Sequence, residues 1–178
     1  MSLRHNVSTL LREAIGATRE YEIDDVVLVD EEAPRQERVS GTVTFLRTKE
    51  GVLVTAHLEG AEHEPCSRCL TDVTVPVRID FEEEYYPVID LRTGAPVAKP
   101  EDPETFRIDA EHTLDLEEAI RQSWAGALPM QPICRADCRG LCVRCGQDLN
   151  QGPCACQPDE EDERWSPLRK LAGKLEGI

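Results

Sequence analysis

The sequence has no run of about 18 apolar residues anywhere in its 178 positions, so no helical membrane span is expected. The N-terminal stretch MSLRHNVSTLLREAIGATRE also lacks the apolar core of about 7 to 15 residues that a signal peptide needs. Arg4, Asn6, Arg12 and Glu13 interrupt it, and a cytoplasmic protein is expected. Positive charge is scarce: 20 Lys plus Arg face 35 Asp plus Glu, a formal net charge of -15. Affinity for nucleic acid comes mainly from Lys and Arg displacing counterions, so direct RNA contact would need a segregated basic face, and basic proteins are the easier partners. No Gly-rich phosphate loop, Gly-x-Ser-x-Gly elbow or His-Glu-x-x-His is present, and no enzyme activity is expected.

Residues of high β-propensity are plentiful. YEIDDVVLV from Tyr21, RVSGTVTFLR from Arg38 and VLVTAHLEG from Val52 read as successive antiparallel strands, with TKEG as turn chemistry before Val52. In DVTVPVRIDFEEEYY, Val73, Val75, Val77, Ile79 and Phe81 alternate with polar positions, which predicts one buried face; Pro76 places that strand at an edge or a bulge. The run Glu82 to Glu84 fits a solvated edge better than a catalytic cluster. His57 is read as a strand residue and His63 as a surface loop residue. Residues 87–104 hold Pro87, Pro96, Pro100 and Pro103 and read as a mobile loop, after which TFRID returns briefly to the sheet.

Helices are expected at three places. Ser8 to Ile15 forms a short one closed by Gly16. Asp115 caps a second, with Glu118 completing a capping-box variant and Leu116, Ile120, Trp124 and Leu128 recurring every fourth residue up to Pro129. The acidic run Pro158 to Glu163 precedes Ser166 and Pro167, an N-cap and N1 pair, and Leu168, Leu171 and Leu175 stripe the last helix. The fold class is α+β: a mainly antiparallel, curled or barrel-like sheet with two or three short helices and a C-terminal cysteine-rich zinc-knuckle module. Three regions follow: a β-rich domain over 1–130, a metal-binding module over 131–157, and an acidic linker with a C-terminal helix over 158–178.

Eight cysteines in a reducing compartment read as metal ligands rather than as a disulfide framework. In CVRCG, Cys142 and Cys145 can grasp one tetrahedral ion from a tight turn, with Gly146 allowing the backbone that follows. Cys154 and Cys156 face one way on an extended strand and can supply two further ligands to the same ion. Cys66 and Cys69 form a second C-x-x-C, followed by a strand rather than the helix of a redox motif. Their partners are either Cys134 and Cys138 or Cys142 and Cys145, and spacing leaves both pairings open. Closed knuckles with glycine turns suit structural zinc, one or two ions, better than an iron–sulfur cluster. A structural zinc contributes about 10 to 16 kcal/mol of apparent folding free energy, enough to order a loop whose apolar residues are only Leu141, Val143 and Leu149. Arg68, Arg135, Arg139 and Arg144 lie among these cysteines, either as partner-binding groups or as counter-charges to thiolate.

The order PCSRCL, then LDLEEAIRQSWAGALPMQPIC, then CRGLCVRCGQDLNQGPCAC resembles the YceD family, the large ribosomal RNA subunit accumulation proteins of bacteria and plastids. The resemblance implies a non-catalytic ribosome-biogenesis factor that supports accumulation or processing of large-subunit ribosomal RNA. Combined with the charge balance, it points to an adaptor for ribosomal proteins or rRNA-processing factors. A thiol redox or metal-responsive regulator is the alternative.

Overall fold

A computed structural model of the chain describes residues 3–30, 34–98 and 105–156. The expected acidic linker and last helix over 158–178 lie outside them. In chain order the elements are β1 (Arg4–Asn6), α1 (Ser8–Arg12), β2 (Thr18–Asp30), β3 (Arg35–Arg47), β4 (Val52–Pro65), β5 (Asp72–Pro87), β6 (Arg107–Ile108), β7 (Thr113–Asp115) and α2 (Glu117–Ala127).

Four long antiparallel strands make the body of the molecule, in the order β2-β3-β4-β5-β6, with β6 added in parallel to β5 only at Tyr86 and Pro87. Pro76 therefore sits on a stretch of β5 that, among the described residues, has only β4 beside it, where a missing N–H is tolerated. Strand alternation puts Ile23, Val43, Phe45, Val54, Leu58, Val77 and Ile79 on one buried face. Gly41 sits at mid-strand with φ +152, and a Cβ there would overlap the His57 carbonyl oxygen. Glycine at such a point lets β3 bend sharply, and the sheet curls. Helix α2 touches both β2 and β5, strands separated by two others in the sheet, as a half-barrel wrapped around a helix requires.

Leu116, Ile120 and Trp124 are the buried side of α2, so the four-residue apolar stripe fills the mouth of the curl. Trp124 is 1% exposed and lies against Gly60, where a Cβ would stand 2.6 Å from the indole. Its Nε1–H donates to Glu62 Oε2 at 2.6 Å. Glu62 is fully buried and its other oxygen faces the Arg35 guanidinium at 2.6 Å. A buried carboxylate is tolerated only with such partners, and here an indole N–H and a cation supply them.

Several expectations change. The first helix ends at Arg12 rather than Ile15, because Gly16 (φ +92) turns the chain so that Gly16 N–H donates to Arg47 O and Arg47 N–H to Ala17 O, both at 2.8 Å. Asp115 lies in β7, and its carboxylate accepts the Glu117 N–H at 3.0 Å while Leu116 holds the N-cap position. Glu118 is spent on Arg121 and Gln122 rather than on a capping box. His63 is not in a loop: β4 continues through it to Pro65, opposite Thr74. The Pro-rich stretch is ordered over 88–98, where Asp90 accepts from the Arg92 and Thr93 N–H groups and Ile89 bridges to Pro96. The short β1–β7 pair was not anticipated. It carries His5 into contact with Tyr21 and Phe45, at centroid distances of 4.6 and 5.2 Å.

Candidate metal centre

Strands β4 and β5 end in the turn that carries Cys66 and Cys69, so the first knuckle is built on the sheet itself. Cys66 N–H donates to Thr71 O at 2.8 Å and Leu70 N–H to Cys66 O at 2.9 Å, closing a loop whose Cys66 sulfur faces inward. The segment after α2 reaches this loop through Ser67 N–H to Pro132 O at 2.8 Å and brings up Cys134 and Cys138. The open alternative is thereby resolved: Cys66 and Cys69 are joined by Cys134 and Cys138, not by Cys142 and Cys145. The second group is Cys142, Cys145, Cys154 and Cys156.

Within each group the four sulfurs lie within 4.8 Å of one another. Cys66–Cys138 is 4.0 Å, Cys69–Cys134 3.6 Å and Cys142–Cys154 3.4 Å. An ion about 2.3 Å from four thiolates sets their sulfurs about 3.8 Å apart, so both groups are positioned to hold a tetrahedral metal ion.

The two knuckles repeat one design. Cys142 N–H donates to Gln147 O at 2.8 Å and Gly146 N–H to Cys142 O at 2.9 Å, the same two bonds that close the first loop. The fifth position is left-handed in both, Leu70 at φ 61 and Gly146 at φ 72. Glycine adopts this conformation freely, whereas leucine does so at a cost of about 1 to 2 kcal/mol. Their surroundings differ. Cys66, Cys69 and Cys138 are buried beneath Val73 and Leu141 and only Cys134 reaches the surface, whereas in the second group Cys145 is exposed and the other three are half-buried.

Local dipoles prepare two sulfurs in the first group and one in the second. The N–H groups of Arg68, Cys69 and Cys134 converge on Cys66 and hold its thiol down at about 6; those of Cys145 and Arg144, with the Cys154 thiol, do the same for Cys142, also about 6. Burial works against ionisation of Cys138, but Asn150 and the Gly140 N–H outweigh it and its thiol falls below the usual range. Cys134, beside Cys138, and Cys156, beside Cys145, are pushed up to about 12, since adjacent sulfurs resist a second negative charge. A cation at the centre would reverse that resistance.

Of the expected partner-binding arginines, Arg68 donates from its guanidinium to Cys138 O at 2.9 Å, tying the first knuckle to the second segment. Arg135 donates to Asn150 Oδ1 at 2.9 Å and faces Asp137 at 3.3 Å. Arg139 and Arg144 are exposed, Arg144 at the knuckle position that Arg68 holds in the first. Sequence reasoning missed Asp148 and Asn150. The Asn150 amide reaches the sulfur of Cys138 at 3.5 Å.

The family description "Large ribosomal RNA subunit accumulation protein YceD" matches residues 54–172, from near the start of β4 through both cysteine groups. The chain belongs to the YceD family. An uncharacterized protein of Mycobacterium tuberculosis is 35% identical over 125 residues, covering 70% of this chain and 57% of the relative. One from Mycobacterium leprae is 33% identical over 123 residues, 68% of this chain and 54% of its own length. The chloroplastic large ribosomal RNA subunit accumulation protein YCED homolog 1 of Arabidopsis thaliana is 30% identical over 63 residues, 35% of this chain and 20% of the relative. The chain thus spans little more than half the length of the mycobacterial relatives. No solved structure matches. Among the described residues, no helix is long and apolar enough to cross a membrane.

Proposed function

We propose that this YceD-family chain is a non-catalytic, cytoplasmic ribosome-biogenesis factor that supports accumulation or processing of large-subunit ribosomal RNA as a zinc-stabilised adaptor. The observation that carries the reading is the pair of four-sulfur groups beside a self-sufficient sheet, since a structural ion in each would fix a loop surface that has little core of its own. Zinc is preferred because all four thiolates of a group converge on one point. In a multi-iron cluster they would bind separate irons and diverge. The surface so fixed presents Arg139 and Arg144, with Arg68 and Arg135 holding its shape. The partner class is a ribosomal protein or rRNA-processing factor that offers carboxylates to these arginines, while a net charge of -15 opposes broad RNA contact. In domain terms, the β-rich body over 1–130 carries the module over 131–157.

Affinity purification of the tagged chain from growing cells tests this. Large-subunit precursor particles or their proteins in the bound fraction, lost on Arg139→Glu with Arg144→Glu, are expected. A chain that co-purifies with neither, or that binds naked ribosomal RNA tightly with a steep salt dependence and no protein, contradicts it. The exposure of Cys145 favours a second reading, a thiol redox or metal-responsive regulator, in which mild peroxide releases the ion from the second group. Ion content unchanged by peroxide would remove that reading.

A further inference from the structure

Asn150 stands between the two sulfur groups and belongs to both. It lies in the loop from Gly146 to Pro153, whose ends are Cys145 and Cys154, two ligands of the second group. That loop is fastened by Cys142 N–H to Gln147 O at 2.8 Å, by the Leu141–Asp148 bridge and by Leu149 N–H to Gly140 O at 2.9 Å. The side chain of Asn150 points the other way, into the first group. Its Oδ1 accepts the Arg139 N–H at 2.8 Å and an Arg135 guanidinium N–H at 2.9 Å, both from the segment that carries Cys138. Its Nδ2 donates to Cys138 Sγ at 3.5 Å and to Asp148 Oδ1 at 2.7 Å. Both acceptor sites and both donor hydrogens of the amide are used, and a flipped amide would set oxygen against sulfur and carboxylate. Asp148 fixes that orientation, accepting also from the Asn150 backbone N–H at 2.9 Å.

The consequence is directional. Cys138 is buried, and its sulfur takes the Gly140 N–H from its own segment and the Asn150 amide from a loop that the second group ties down. The second group is the more exposed and would exchange its ion with solvent first. We propose that the exposed group governs the buried one: an ion held by Cys142, Cys145, Cys154 and Cys156 fixes Asn150, and Asn150 in turn holds Cys138 in place for the first ion. Asn150 is then a positioning residue and Asp148 its orienter. Outer hydrogen bonds of this kind typically change metal affinity about 10- to 100-fold. The inference rests on both groups being metal sites.

The test counts ions by native mass spectrometry and follows their exchange for isotopically labelled zinc in solution, which keeps the exposed group refilled while the buried one is read, using the full chain. In the wild type two ions exchange in a fast and a slow phase, the slow one from the buried group. Asn150→Ala and the near-isosteric Asn150→Asp each leave two ions bound and speed the slow phase about 10- to 100-fold. Cys142→Ser with Cys145→Ser leaves one ion, exchanged as fast as the slow phase of Asn150→Ala. Adding Asn150→Ala to that variant changes nothing more, because both substitutions act through one contact. Two ions in the wild type, with slow-phase exchange in both Asn150 variants within about twofold of it, would overturn the coupling alone. Effects that multiply in the combined variant would do the same. Fewer than two ions in the wild type would defeat the metal reading itself and the coupling with it.

Discussion

The half-barrel and the cysteine module solve the same problem by different physics. Strands β2 to β5 bury a continuous apolar face against α2, and each strand holds its register through its neighbours. The module from Cys134 to Cys156 has almost no core: Cys138 is its one buried hydrophobic, clustered with Cys66 and Cys69 of the sheet's turn and packed against Val73 and Leu141. What it has instead is converging sulfur and a network of backbone N–H groups aimed at it. The sheet is stabilised by area removed from water; the module, on the proposed reading, is stabilised by an ion whose site exists only when the chain is folded around it. The two therefore answer to different perturbations.

The largest effect on the sheet should come from Trp124→Ala. It removes the side chain that fills the curl and leaves Glu62 without its indole donor, a loss of about 3 to 5 kcal/mol in denaturant unfolding. Ion content of the folded fraction should stay at the wild-type value; if it fell, the sheet and module would not be separable. Gly60→Ala should cost about 1 to 3 kcal/mol by overpacking against the same indole, read from the shift in unfolding midpoint. Cys154→Ser with Cys156→Ser should delete one ion yet move the sheet's unfolding free energy by no more than about 0.5 kcal/mol. A shift as large as that of Gly60→Ala would break the comparison. The smallest effect is an acid sensitivity at His5. Burial against Tyr21 and Phe45 lowers its pKa below 6.5, so the unfolded chain takes up the proton more readily. Its contribution to stability is present above pH 6.5 and is lost as pH falls below that value toward the lowered folded pKa. His5→Phe should flatten that part of the stability profile; an unchanged slope would assign the acid sensitivity elsewhere.

The four long strands were legible because period-two alternation is a local signal, and Val75, Val77 and Ile79 state it in a few residues. The stripe Leu116, Ile120 and Trp124 announced α2 in the same way. Strand order, the β1–β7 pair and the burial of Glu62 were not legible, since each depends on partners far away in the chain: Asn6 faces Thr113, and Glu62 meets Trp124. That the cysteines form groups positioned to hold a metal ion was visible from knuckle spacing. Which ones share a site was not, because Cys69 and Cys134 are brought together by the path of α2 and no spacing rule spans that gap. Asn150 escaped for a related reason. Its local role in an Asx turn with Asp148 conceals a contact made across the module to Cys138.

Hydrogen exchange of the intact chain, followed by mass spectrometry with and without a strong metal chelator, tests the central claim most directly. The account predicts that chelation strips protection from amides between Cys134 and Cys156 and from the Cys66–Cys69 turn, while β2 to β4 and the body of β5 keep theirs. Protection of the module that survives complete removal of metal, or a sheet that loses protection together with it, would contradict the account.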